Sequence, residues 1–414
     1  MHLLRLTLIL FFLTLPRMGA AQELRVLTSF PPEFSTPYVA MWDQAAPQTD
    51  IRVLNKNTVA GIDEILRGNT RGFDVFWASS PEAFELLSRH AAFADPAVCG
   101  KGGPRAVEPF ALSSVGWARR VDSSLFMPAD WDDLLRPIYR DKIAMARPTR
   151  SGTTHMMLEQ ILQVRGWNDG WAYILELAGN ISTLTARSYG VPDGLKTERF
   201  DIGLTIDFLA QSQRGVLDFR YGRPVVMTAA RVGILKGGRA SSAACDFVHM
   251  LLSPKGQRTL VAPEISRIPY NASVRSDVAP ELPDGIVEAL DRARLDYDAG
   301  LSSDRYWAVN TLFDVMVTDM LVERRNLWRR FHALADTHNG SDLRAIRALL
   351  TRVPVTGNEA IKASEQTQNG VATSTLTGVG ALGRNLVQDW RDRVMDVTQQ
   401  TDHALRALEE QADR

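Results

Sequence analysis

The chain has 414 residues, 45% of them hydrophobic and 23% charged, with a formal net charge of −1. That length predicts two or three units of about 150 residues each, with apolar side chains enough for sizeable cores. So balanced a charge excludes the global basic field on which nucleic-acid binding relies, and no nucleic-acid partner is expected.

Arg5, the apolar run from Leu6 to Leu15, the break at Pro16 and the small residues Gly19, Ala20 and Ala21 make the three parts of a secretory signal over residues 1–21. An uncleaved anchor is the alternative, but a membrane-spanning helix needs about 20 apolar residues and this run is shorter. No later stretch is apolar enough to cross a membrane, so a periplasmic protein beginning at Gln22 is expected. Cys99 and Cys245 are the two cysteines. They either pair in an oxidising compartment or remain separate buried thiols, and the reading leans to the second.

Residues 24–27 read as a first strand, 36–45 as a helix, 51–54 as a strand, 60–67 as a helix, 74–78 as a strand and 82–90 as a helix. Strands alternating with helices predict a parallel sheet covered on both faces. A strand at 115–118 leaves this lobe. A second α/β region follows, with a strand at 142–146, helices at 151–165 and 171–177, a strand at 202–206 and a helix from Phe208. Strands at 225–227 and 232–235 return to the first lobe, and a helix over 240–252 is stopped by Ser253-Pro254. The expected division is therefore 22–116 and 226–300 for lobe 1 and 117–225 for lobe 2. Helices over 301–354 pack on the lobes, 355–378 is a polar linker, and 379–414 is an amphipathic helix. That helix carries an apolar stripe at Leu382, Leu386, Trp390, Val394, Val397, Thr401, Leu405 and Leu408. Docking on the chain's own lobes and docking on a partner are both open. The preceding linker favours a partner, either a membrane protein or a second copy held through residues 379–412.

The most informative segment is 147–155, where a strand ends and a helix begins at Ser151-Gly152-Thr153-Thr154. Unpaired N–H groups and the helix dipole favour an anion there, and glycine allows close approach. Plain N-capping by a hydroxyl is the alternative. Thr28-Ser29-Phe30, Trp77 with Ser79-Ser80, and Asp207 stand at other strand ends, where parallel sheets bind ligands. Arg187-Ser188 adds a guanidinium able to grip a phosphate or carboxylate with two bonds. The chain has no His-Glu-x-x-His, no Gly-x-Ser-x-Gly and no Walker loop, so no catalytic residue, metal site or cofactor is expected.

Phe73-Asp74-Val75-Phe76-Trp77, Pro148 to His155 with Gly166-Trp167, Asn180, Arg187-Ser188, Ile202-Gly203-Leu204, Leu251 to Gln257 and Ser266-Arg267-Ile268-Pro269 follow one another in an order that resembles the ferric-iron-type extracellular solute-binding proteins of ABC transporters. The resemblance spans about 23–275 and is strongest to phosphoglycerate-transport regulatory and sugar-phosphate-binding members. It implies an α/β fold, a two-lobed periplasmic binding protein with crossover hinge strands, here followed by a C-terminal helical extension. It also implies a small anionic solute held by Ser151 to Thr154 and Arg187-Ser188, and an ABC permease or membrane sensor as partner. Iron-binding members carry adjacent tyrosines late in the second lobe. Tyr221 stands alone among arginines in 218–223, which departs from that pattern. A ferric or thiamine ligand, or an adaptor role for the C-terminal helix, remain the alternatives.

Overall fold

The computed structural model describes residues 22–282, 286, 290, 297–335, 340–369 and 381–412, so the segment read as a signal lies outside the described residues. Two sheets organise the chain. The first has the order β11-β4-β10-β3-β1-β2, with β1 Gln22–Thr28, β2 Thr49–Asn55, β3 Val75–Ala78, β4 Val107–Ser113, β10 Thr228–Ile234 and β11 Ile268–Pro269. The second runs β7-β6-β8-β5-β9, with β5 Val115–Arg120, β6 Ile143–Ala146, β7 Ile181–Thr185, β8 Ile202–Ile206 and β9 Leu217–Tyr221. Strands β1, β2 and β3 are parallel, as are β6, β7 and β8, while β10 and β5 run antiparallel to their neighbours. Every residue of β3, β6 and β8 is buried, which is why these strands read as unbroken apolar runs.

The chain passes between the sheets twice. Strand β4 ends at Ser113 and β5 begins at Val115, so one extended run serves both lobes. The return lies between Tyr221 and Thr228. The strand expected at 225–227 does not form, because that stretch is the crossover itself and follows Pro224, which has no N–H to give a ladder. Strand β4 escaped the sequence reading because Pro109 sits inside it. The sheet accommodates Pro109 at a bulge, where Arg231 pairs with Pro109, Ala230 with Ala111, and Phe110 is the extra residue.

Three further expectations give way to the structure. Cys99 and Cys245 form a disulfide, tying the loop after β3's helix to helix Ser241–Leu252. Their Cα atoms stand 5.5 Å apart, within bridging range, a proximity that 146 residues of separation conceal in the sequence. The supposed linker is, over Gly357–Asn369, a helix, with Ala360, Ala363 and Ser364 buried. Its small residues are what let it lie close against helix Tyr306–Phe313, where the Ser364 hydroxyl accepts from the Ala308 amide at 3.1 Å. The helix Ala381–Ala412 turns its stripe inward from Leu386 to Leu408, while Leu382 stays exposed. Trp390 and Val394 join the main core beside Trp307, and Leu405 and Leu408 pack with Leu327, Trp328, Phe331 and Ile346. Arg330 fastens it through Asp402 at 2.6 Å and Glu409 at 2.7 Å. The apolar face expected to meet a partner or second copy is occupied by the chain's own helices.

The C-terminal region also touches both lobes. Tyr297 and Asp304 meet Glu82 and Arg89 of helix Pro81–Arg89 in the first lobe. Ser302, Arg305 and Asn310 meet His155 and Glu159 of helix Gly152–Arg165 in the second.

Candidate functional site

Six loops converge between the lobes, each following the carboxyl end of a parallel strand, where ligands of α/β sheets bind. From the first lobe come Ser29, Phe30 and Pro31 after β1, Asn57 and Thr58 after β2, and Ser79 and Ser80 after β3. From the second come Arg150, Ser151, Gly152 and Thr153 after β6, Arg187, Ser188 and Tyr189 after β7, and Phe208 and Leu209 after β8. Together they line a cleft between the two lobes. Helices Pro32–Ala45, Thr58–Leu66, Pro81–Arg89 and Gly152–Arg165 all begin at it. Each helix start carries roughly half a positive charge. The lining holds two guanidinium groups, Arg150 and Arg187, and no carboxylate.

Counting hydrogens shows which hydroxyls face the cleft as donors. The Ser151 oxygen caps its helix by accepting from the Thr154 amide at 3.1 Å, and accepts again from the Thr154 hydroxyl at 3.0 Å. Its own hydrogen therefore goes to Ser188 Oγ, 2.6 Å away, leaving the Ser188 hydrogen for the cleft. Ser80 donates to Glu82 Oε1 at 2.5 Å. Glu82 is fully buried, and burial pushes its carboxyl up to about 7. On the far side, Tyr297 and Ser302 link Glu82 to His155, which burial holds neutral with a pKa near 3.

The lobes touch across the cleft. Arg187 Nη2 donates to Asn55 Oδ1 at 2.5 Å, and Asn55 ends β2 of the opposite lobe. A Cβ placed on Gly152 would lie 2.9 Å from both Ser80 Cβ and Thr58 Oγ1. Glycine at the helix start is thus the condition for this closed arrangement. Gly152→Val is expected to hold the lobes apart. Overpacking of this kind costs about 1–3 kcal/mol, so affinity for a cleft ligand should fall roughly fivefold to over a hundredfold while the circular dichroism spectrum is kept. Unchanged affinity by calorimetry would show that the lobes need not meet there.

Of the residues singled out in the sequence, Ser29, Phe30, Ser79, Ser80, Ser151, Gly152, Thr153, Arg187 and Ser188 line the cleft. Four do not. Thr28 is buried, donating to the Trp77 carbonyl at 2.7 Å and accepting from the Phe30 amide. Trp77 lies in an aromatic core with Phe30, Phe34, Tyr38, Phe110 and Phe247, because β3 is covered on both faces. Thr154, one place along the helix, points back to Ser151. Asp207 is turned toward the crossover: its carboxylate accepts from the Ser114 and Phe208 amides and the Tyr221 hydroxyl, and burial lifts its pKa to about 6. The reading missed Asn57 and Thr58, which the strand-end rule applied to β2 would have found. It also missed Tyr189 and Phe208, each adjacent to a residue it named.

Two α/β lobes joined by crossover strands and closed on a cleft at the strand ends define the class of two-lobed periplasmic binding proteins. A family model for bacterial extracellular solute-binding protein matches residues 34–262, and the chain belongs to that family. It is 31% identical over 350 residues to the phosphoglycerate transport regulatory protein PgtC of Salmonella typhimurium, covering 81% of this chain and 86% of that one. The fold is that of the periplasmic binding protein AfuA from Actinobacillus pleuropneumoniae, solved with exogenous fructose-6-phosphate bound (TM-score 0.64, 17% identity, 72% of this chain and 99% of that one). It is also that of the apo ferric ion-binding protein A of Pasteurella haemolytica (TM-score 0.56, 13% identity, 71% and 97%). No helix among the described residues is long and apolar enough to cross a membrane.

Proposed function

We infer that this protein captures a small phosphorylated or carboxylated organic solute outside the cytoplasm, by closing its lobes on it. It then delivers the solute to an ABC importer or reports it to a membrane sensor. The observation that carries this reading is the sign of the cleft: four helix starts and two arginines against no carboxylate. Such a lining attracts an anion and repels ferric iron or the thiamine cation. Ferric iron would also want oxygen anions, and Tyr189 is the one phenol in the lining. The names of PgtC and of the fructose-6-phosphate complex of AfuA support the same ligand class. The lining also holds no His, Cys, Asp, Glu or Lys to act as a general base, which favours capture over chemistry.

Thermal shift and calorimetry with phosphoglycerates, hexose phosphates, ferric citrate and thiamine test this reading. A true ligand stabilises the folded state by mass action, so the melting temperature should climb with concentration for a phosphorylated compound. A response to ferric citrate or thiamine alone would overturn the assignment. Arg187→Ala removes one charge-assisted bond, worth about 1.5–3 kcal/mol, and should weaken the phosphorylated ligand roughly tenfold to over a hundredfold. Normal binding by that variant would leave the function standing and remove Arg187 from it.

A further inference from the structure

Behind the first-lobe wall of the cleft stands a buried cation, Arg267, only 1% exposed. Its Nε and Nη2 donate to Ser113 Oγ at 3.1 and 2.8 Å, and Nη2 also donates to Ser79 Oγ at 2.9 Å. Nη1 is buried without a hydrogen-bond partner. Among the described residues, no carboxylate takes a bond from this guanidinium. The acid that acts on it through space, Asp207, spends its oxygens on the Ser114 and Phe208 amides and the Tyr221 hydroxyl. The guanidinium carbon lies 4.9 Å from the Phe30 ring centre and 4.1 Å from that of Phe208, and both rings line the cleft. Burial lowers its pKa to about 9, so it remains a cation at neutral pH.

A desolvated cation with an unused N–H is costly to the fold unless a counter-charge is near. Three of the residues this guanidinium touches, Ser79, Phe30 and Phe208, line the cleft. Ser79 Oγ already accepts from Arg267, so its own hydrogen is free to be donated, and Ser79 lines the cleft. We propose that Arg267 sets the charge selectivity of the cleft: it holds Ser79 as an outward-facing donor and supplies the field that a phosphate group, seated between Ser79 and the helix start at Gly152, completes. This rests on the anion reading of the cleft given above. It divides the work of the two arginines: Arg187, in the cleft wall, ties the lobes and bonds the solute, while Arg267 behind the wall chooses the sign of what they close on. Arg267 is a positioning residue, acting through Ser79 and its field.

The test uses the full chain with 3-phosphoglycerate, inorganic phosphate and D-glycerate as probes, followed by calorimetry, in wild type, Arg267→Met, Arg267→Lys and Ser79→Ala. Arg267→Met should lose about a hundredfold in affinity for 3-phosphoglycerate, and much less for D-glycerate, so that the preference for the phosphorylated compound collapses. Arg267→Lys should recover part of that preference. Ser79→Ala, which leaves the buried charge in place, should lose about tenfold and serves if Arg267→Met does not fold. A purely structural role for Arg267 predicts equal losses for both compounds, and that result would overturn the proposal while leaving the anion-binding reading intact. A wild-type chain indifferent to all three anions would overturn both.

Discussion

Arg305→Met is expected to cost the fold about 3–5 kcal/mol, the usual penalty for stripping one partner from a buried ion pair. Glu159 is 0% exposed and Arg305 7%, and the pair is bidentate, with Nε and Nη2 at 2.9 and 2.8 Å from its two oxygens. Without Arg305 the carboxylate retains only a 3.3 Å bond from Gln163. Burial already raises the Glu159 pKa against the pull of Arg305, and removing the arginine raises it further. The sign follows from that direction. A carboxyl whose folded pKa lies above its unfolded value penalises the folded state when ionised, and the penalty fades as pH falls through the folded pKa. Urea denaturation should therefore show the variant far below wild type at pH 8 and closer to it at pH 5. The double variant Glu159→Gln, Arg305→Met should regain part of the loss, since the pair is coupled. A loss under about 1 kcal/mol at pH 8, within the range of exposed pairs, would mean that the contact is not desolvated.

A chain ending at Thr356 is expected not to reach a stable monomeric fold. The deletion would uncover Trp307, remove Ala360, Ala363, Trp390 and Val394 from the core cluster they share with the lobes, and take Leu405 and Leu408 away from Trp328 and Phe331. A milder version keeps the test quantitative. Trp390 is 0% exposed and stands 5.3 Å from the Trp307 ring. Trp390→Ala should cost about 3–5 kcal/mol, as large-to-small changes of buried aromatics do. Melting of the truncated chain at the parent temperature, with solute binding kept, would instead make the extension an independent attachment.

Much of the cleft was legible because it depends on local rules. Hydroxyls and glycine after parallel strands mark Ser29, Ser79 and Ser151 to Thr153 wherever the sheet places them, and these loops do meet. What stayed hidden is set by contacts distant in sequence. Arg267 reaches Ser79 across 188 positions, and nothing near it announces a buried charge. Trp77 and Asp207 obey the strand-end rule in sequence, yet their side chains turn to the core and to the crossover, a choice of face that alternation alone does not settle in a fully buried strand. The helix at 357–369 is polar enough to read as linker because it buries small residues rather than large ones, and its stripe of Ala360, Ala363 and Ser364 is a packing signal only once its neighbour is known.

The segment from Tyr297 to Asn310 is bonded to both lobes, and this bears on time rather than affinity. Its ties to the second lobe include the buried Arg305–Glu159 pair and the two bonds of His155. Its ties to the first are the half-exposed Arg89–Asp304 pair, a 3.3 Å bond from Arg89 to the Gly300 carbonyl, a 3.2 Å bond between Tyr297 and Glu82, and Tyr306, which is buried in that lobe's core with Leu27, Val59, Phe76 and Phe84. Any swing that separates the lobes on this side must break one set or the other. The lifetime of the closed state would then rest in part on contacts made by residues outside the cleft lining, which a bound solute does not touch.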